Sequence, residues 1–190
     1  RPRTVGDRPG NFTVQNADLI IILGCRLNIR QVSYNWGSFA KNAYKVMVDI
    51  DVSELNKPTV KIDKKINQNL KTFIPNFLNF LINKNYKPTL DHIYYLDWCR
   101  TRVKKYPVIQ ESYYKEKILN PYVFLKELFD IIDESSVVIT ANGSACVMTF
   151  QVVEIKKQRL FTNSGSASMG YDLPASIGAC LANNKKTIIC

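Results

Sequence analysis

At 190 residues the chain is long for one domain and short for two complete ones, on a scale of roughly 100–200 residues each. An apolar share of 46%, with ten Tyr and nine Phe, can fill a sizeable core and excludes a disordered chain. No run reaches the ~18 apolar residues of a membrane helix, and the net charge of +10 comes from lysines dispersed from Lys41 to Lys186.

Their loosest gathering, Lys57, Lys61, Lys64, Lys65 and Lys71, has no Arg/aromatic alternation and no nucleic-acid motif beside it. A solvated basic surface is therefore expected, with neither nucleic acid nor membrane as partner. The start, Arg1 to Thr4, has no apolar signal segment, and a first residue other than Met reads as a trimmed chain or a fragment.

Taken in chain order, Leu19–Leu23 is an unbroken apolar run ending at Gly24, the pattern of a strand buried on both faces. Tyr44–Asp49 reads as a second strand, closed by the acidic pair Asp49 and Asp51. Leu70, Phe73, Ile74, Phe77, Leu78 and Leu81 then recur at three- and four-residue spacing, which predicts a helix with one apolar face. Asn67 is the expected N-cap, and Pro75 is expected to bend or interrupt the helix.

Residues 84–119, rich in Tyr, Lys and Pro, read as a connection between domains, with a short helix from His92 to Lys105. Alternation resumes with a helix opened by Pro121, its buried side drawn from Val123, Leu125, Leu128, Phe129, Ile131 and Ile132. A turn at Asp133–Ser136, a strand over Val137–Thr140 and a strand-to-helix junction at Asn142–Ala145 follow. Leu160–Phe161 is a short strand leading into a small-residue loop, Asn163–Gly170. Pro174 begins a helix whose Ala175, Ser176, Gly178, Ala179 and Ala182 suit close approach to a sheet, and Lys186–Cys190 is a last strand. The order predicts an α/β protein with parallel-sheet domains. Its expected parts are residues 1–83 of a dinucleotide-binding-like domain, a linker at 84–119, and a partial second domain at 120–190.

Five cysteines, odd in number and without a C-x-x-C pair, suit a reducing cytoplasm rather than a zinc site. The single His92 leaves no Ser/His/Asp chemistry. Chemistry belongs instead at the carboxyl ends of the strands. After the first strand, Gly24 allows close backbone approach, and Arg26 and Arg30, four apart, can hold phosphate oxygens. Asp49 can accept hydrogen bonds from ribose hydroxyls, although Gly and Asp are also ordinary turn residues. Asn142, Gly143, Ser144 and Ala145 offer backbone N–H groups and a hydroxyl at a helix start, an anion cradle. Met169, alone in a loop of small residues, either fills a gap in a core or presses against a flat ligand.

These residues carry a family resemblance over nearly the whole chain. Asn163–Ala179 resembles the signature G-x-x-x-M-G-x-x-L-P-A-A-I-G-A of thiamine-diphosphate-dependent enzymes of the acetolactate synthase type. Val137–Gly143 is similar to their strand before the diphosphate loop, and Asn11–Arg26 with Val48–Asp51 to their middle domain. The wording of Asn142–Cys146 resembles acetolactate-synthase-like proteins found with polysaccharide biosynthesis genes.

The resemblance implies that Met169 wedges thiamine diphosphate into a bent form and that the Ala167 carbonyl accepts from its aminopyrimidine. It also implies that Gly143 and Ser144 contact the diphosphate, and that Arg26, Arg30, Asp49 and Ile50 contact the ADP part of FAD where a flavin is kept. The implied reaction is decarboxylation of a 2-keto acid, the resulting carbanion adding to a second carbonyl, in a homodimer or homotetramer. Alternatives are a related decarboxylase or lyase, or a nucleotide-binding module without catalysis. The family's Mg²⁺ ligands, a Gly-Asp-Gly and a later Asn pair, are expected beyond Cys190. The N-terminal domain, with the Glu that protonates the aminopyrimidine, lies outside these residues, so the isolated chain is expected to be inactive. Where many synthases carry Gln-His after the loop glycine, this chain has Ser144-Ala145.

Overall fold

The computed structural model describes residues 6–182 and 188–190, which fall into two compact units, 1–106 and 107–190. Both have the expected α/β architecture with parallel sheets. The predicted strand residues Lys186 and Thr187 lie outside the described residues.

In the first unit, β1 (Leu19–Leu23), β2 (Tyr44–Asp49) and β3 (Lys64–Asn67) pair in parallel in the order β1-β2-β3. The first two have the bounds read from sequence. The third was not foreseen, since two of its four residues are lysines and only Ile66 is apolar. Between β1 and β2 runs the short helix α2 (Ile29–Val32), and between β2 and β3 the short helix α3 (Val52–Leu55). In a sequential order both right-handed crossovers lie over the same face of the sheet. That face holds the core: Ile22, Met47, Leu27, Val32, Phe39, Leu55 and Val60 are all buried together.

The same order corrects the reading of β1 as buried on both sides. Only Ile22, with Ile20 partly, turns to the core. Leu19, Ile21 and Leu23 are exposed at 49, 41 and 40%, on the face that neither crossover covers, in the outer strand of the sheet among the described residues. Gly24, just after β1, donates its N–H to the Val48 carbonyl at 2.9 Å and takes a φ of 55°. A Cβ placed there would lie 3.0 Å from Leu70 Cδ1.

The expected N-cap of the next helix is also corrected. Helix α4 (Leu70–Asn83) is capped by Asn69, whose side chain accepts from the Lys71 N–H at 2.9 Å, and it runs through Pro75 without interruption. Asn67 ends β3 instead. Its Nδ2 donates to the carbonyls of Asp49 and Ile50 at 3.1 and 2.9 Å, so it clamps the turn after β2.

Helix α5 (Leu90–Lys105) begins two residues before the predicted start. Thr89 caps it, and His92 completes the capping box. It packs on α1 (Arg8–Gln15), a helix the sequence reading missed, with Asp7 as its N-cap and Pro9 in its first turn. The Tyr95 hydroxyl donates to the Thr13 carbonyl, and Arg8 lies 4.5 Å from the Tyr106 ring centroid.

The second unit holds β4 (Val137–Thr140), β5 (Arg159–Thr162) and β6 (Ile188–Ile189), parallel in the order β5-β4-β6. Helix α6 (Pro121–Ile131) starts as expected, with Asn120 accepting from the Tyr122 N–H at 3.0 Å. Its buried side is Val123 and Phe129, with Leu125, Leu128 and Ile132 partly covered. Ile131 departs from the expectation: at 79% exposure it faces solvent in the last turn. The turn before β4 forms as predicted, the Ser136 N–H reaching the Asp133 carbonyl at 3.0 Å.

Helix α7 (Gly143–Val152) joins β4 to β5, and α8 (Asp172–Ala182) joins β5 to β6. These crossovers run in opposite directions, so right-handed connection puts the two helices on opposite faces. Ser176 is the buried position of α8. Gly178, expected at a close approach, meets open space instead.

Burial, followed by the neighbouring Cys99 and Asp18, pushes the Tyr95 hydroxyl up to about 12 from its ordinary value of 10. Tyr95 therefore supports the α1–α5 contact fully below about pH 10, and that support is lost as pH rises through about 12. A tyrosinate absorbance titration is expected to resolve one late-titrating tyrosine that Tyr95→Phe removes. The substitution is expected to cost about 1 kcal/mol in urea unfolding, the net worth of one hydrogen bond.

Candidate functional site at the carboxyl edge of the second sheet

The order β5-β4-β6 makes β4 the strand from which the chain leaves in one direction and to which it later returns from the other. In parallel sheets such a switch point leaves a crevice beyond the carboxyl ends of the strands. The register pairs Thr140 with Thr162, so the loops after β4 and β5 begin side by side. Cys190 follows β6 at the same edge, on the other side of β4.

Gly143, Ser144, Ala167 and Met169 all lie on these two loops or at the helix start that follows. Gly143 has a φ of 67° and nothing within 4 Å of where a Cβ would stand, so its peptide faces open space. It opens α7 together with Ser144 and Ala145, all three exposed. The first N–H groups of a helix have no partner within it. Asn142, the N-cap, makes no side-chain bond to them. The helix start thus presents backbone donors and the positive end of its dipole, which suits a phosphate group.

The Asn142 amide is used elsewhere: its Nδ2 donates to the carbonyl of Ala167 on the neighbouring loop. Ala167 takes a φ of 56°, a left-handed conformation unusual for alanine, and its N–H bonds to the Asn163 carbonyl at 2.7 Å. Gly170, with a φ of 79°, closes the loop. Between them Met169 is 90% exposed. Among the described residues of its own unit, the side chain is not packed into the core.

At the end of β4, Thr140 Oγ1 is buried and without a hydrogen-bond partner. Thr162 Oγ1, beside it, donates to Cys146 Sγ at 3.2 Å and accepts the Ser164 N–H at 3.2 Å, which anchors the start of the Asn163–Gly170 loop. A helix start with spare donors, a carbonyl-bearing loop, an exposed apolar side chain and an orphaned hydroxyl together fit a ligand with an anionic end and a flat, partly apolar body.

The first unit brings its candidates to one edge as well. Arg26 follows Gly24, Arg30 stands on α2, Asp49 ends the neighbouring strand and Ile50 follows it. Arg26 lies 3.5 Å from Glu54, itself held by Lys57 at 2.8 Å, and the Arg26 carbonyl accepts from Lys57 Nζ. Arg30 is partly exposed. Asp49 is buried, and its Oδ1 accepts the Asp51 N–H at 2.9 Å, so the carboxylate holds its own turn. Ile50 is 67% exposed. Cys25, not foreseen in the site, bonds to the Gln31 amide at 3.3 Å and orders the loop carrying Arg26. No local pattern in the sequence announces that contact.

Stretches of both units match known proteins. Residues 2–77 match the central domain of thiamine pyrophosphate enzymes, and residues 141–190 match their C-terminal TPP binding domain. The chain belongs to the thiamine pyrophosphate enzymes. Among its curated relatives are acetolactate synthase large subunits, that of Lactococcus lactis subsp. lactis being 32% identical over 97% of this chain and 31% of its own length. That of Buchnera aphidicola subsp. Acyrthosiphon pisum is 30% identical over 97% of this chain and 32% of its own length. A probable acetolactate synthase large subunit of Methanococcus aeolicus is 27% identical over the same shares, 97% and 32%. The chain thus spans about a third of the length of the curated relatives it matches.

Gly143→Ala tests the helix start. Because no atom crowds the added methyl, its cost is torsional, about 1–2 kcal/mol for a left-handed residue. Urea unfolding is expected to show that loss, and calorimetry an affinity for inorganic pyrophosphate weaker by about tenfold.

Proposed function

We propose that the protein containing this chain is a thiamine-diphosphate-dependent carboligase of the acetolactate synthase type, decarboxylating one 2-keto acid and joining the remainder to a second carbonyl compound. The observation that carries the reading is Met169. An apolar side chain nine-tenths exposed, in a loop of small residues at the switch point of a parallel sheet, has no packing role within its own unit. The relatives, named as acetolactate synthase large subunits, support the same class.

Bound thiamine diphosphate supplies the carbon nucleophile and electron sink for this chemistry. The chain's own residues supply position. Gly143 and Ser144, at the start of α7, hold the diphosphate through backbone N–H groups and the Ser144 hydroxyl. Met169 supports the thiazolium side and the Ala167 carbonyl receives the aminopyrimidine, so the two loops fix the two ends of one ligand. Fixing both ends lowers the entropy to be lost when the reacting atoms meet. Ser144-Ala145 stands where many synthases carry Gln-His, so the diphosphate is held here without the contacts of those two side chains.

The finer assignments belong to the same reading. Mg²⁺ is held by residues following Cys190. Arg26, Arg30, Asp49 and Ile50 at the edge of the first sheet take the ADP part of FAD, Asp49 acting through the turn it orders. Residues 1–83 and 120–190 are parts of the two domains, with 84–119 connecting them and α5 docked on the first. The site is completed by a neighbouring subunit in a cytoplasmic homodimer or homotetramer.

Full-length protein supplied with thiamine diphosphate, Mg²⁺ and pyruvate is expected to release CO₂ and form a longer 2-hydroxy-3-keto acid. Release of the free aldehyde instead points to a decarboxylase, and no release from any 2-keto acid defeats the proposal. Met169→Ala is expected to lower kcat by about 100-fold through loss of alignment, with the affinity for inorganic pyrophosphate unchanged. A flavin absorbance band in the purified protein checks the first-unit assignment.

A further inference from the structure

We propose that Asn142 is a positioning residue for the cofactor, coupling the diphosphate-binding start of α7 to the carbonyl of Ala167; this rests on the thiamine diphosphate reading above. Asn is among the strongest N-cap residues, and its usual role is to accept an N–H of the first helical turn with its side-chain oxygen. Elsewhere in this chain asparagines do so: Asn28, Asn69 and Asn120 each accept a first-turn N–H. Asn142 occupies the same position at α7 and does not. Its amide turns away from the helix and donates to the Ala167 carbonyl.

Two consequences follow from that one rotation. The N–H groups of Gly143, Ser144 and Ala145 keep their capacity for an anion, since no cap competes for them. At the same time a carbonyl carried by a strained, left-handed alanine is pinned from one side. A carbonyl oxygen has two acceptor sites, so one remains for a ligand donor. The bond spans two loops that start from paired strand ends, Thr140 and Thr162. It therefore fixes the distance between the place suited to phosphate and the carbonyl suited to the heterocycle. A side chain that accepts but cannot donate, in the same space, would reverse both effects: it would cap α7, add a negative charge beside the phosphate and release Ala167.

The test is calorimetric, on the full-length protein with Mg²⁺, using thiamine diphosphate and inorganic pyrophosphate as separate ligands. With Asn142→Ala, the dissociation constant for thiamine diphosphate is expected to rise about tenfold while that for pyrophosphate changes less than threefold, because only the heterocycle end loses its register. With Asn142→Asp, both are expected to rise at least tenfold. Asn142→Gln keeps a donor and is expected to bind thiamine diphosphate more tightly than the Ala variant. Equal losses for the two ligands in the Ala variant, or no loss for either, overturn the positioning role. If wild-type protein binds pyrophosphate and not thiamine diphosphate, the cofactor reading itself fails, an outcome distinct from unaltered binding by the variants. Thermal unfolding of each variant within a few degrees of wild type separates these effects from misfolding, and the Gln variant serves if the Ala variant unfolds.

Discussion

The arrangement rests on one constraint, the parallel pairing of β4 with strands on both sides. Parallel pairing puts the carboxyl ends of the strands on one edge, and the order β5-β4-β6 sends the two crossover helices to opposite faces. The edge above β4 is then a place from which the connections lead to both faces of the sheet. Among the described residues of the second unit, the left-handed positions Gly143, Ala167 and Gly170 all lie there, together with the orphaned Thr140 hydroxyl and an N-cap side chain turned from its helix. Strain of this kind persists only where surrounding structure enforces it. The Asn142 bond and the Thr162 anchor are what enforce it here.

The first unit has the other strand order and a different result. A sequential β1-β2-β3 sheet covers one face well, and its core of Ile22, Met47, Leu55 and Val60 shows the effect. The opposite face keeps three apolar side chains of β1 in contact with solvent. Its carboxyl edge brings Arg26, Arg30, Asp49 and Ile50 together, but much of their polar capacity is spent internally. Glu54 takes Arg26, and the Asp51 N–H takes Asp49. The two edges therefore differ in kind. One has donors and a carbonyl to spare, while the other is largely self-satisfied.

Much of this was legible in the residues, for identifiable reasons. β1 is an unbroken run of aliphatic side chains ending at Gly24, and β2 centres on Val46, Met47 and Val48 and closes at Asp49, so their ends could be read to the residue. The start of α6 followed from Asn120 and Pro121, a cap and a first-turn proline in succession. Reading failed where long-range contacts decide. β3 is half lysine and is a strand because β2 offers it a ladder. Asn67 and Asn69 are two residues apart with the same intrinsic preference, and only the end of β3 assigns the cap to Asn69. Burial of β1 could not be judged because a run of five apolar residues does not say how its neighbours are ordered. At the candidate site, the residue types of Gly143, Ser144 and Met169 were readable from their motif. The link between Asn142 and Ala167, 25 positions apart, was not, since it depends on the register of β4 against β5.

Gly24 illustrates how a single position can be restricted twice, with unequal force. A side chain there would meet Leu70 Cδ1 at 3.0 Å, but that methyl sits at the end of a flexible side chain and can swing aside. The φ of 55° offers no such escape, because a torsion of the main chain itself cannot be relieved by moving a neighbouring side chain. A compensating change at position 70 would thus relieve the lesser part of the penalty and leave the greater. Among residues with a side chain, asparagine is one that tolerates this torsion comparatively well.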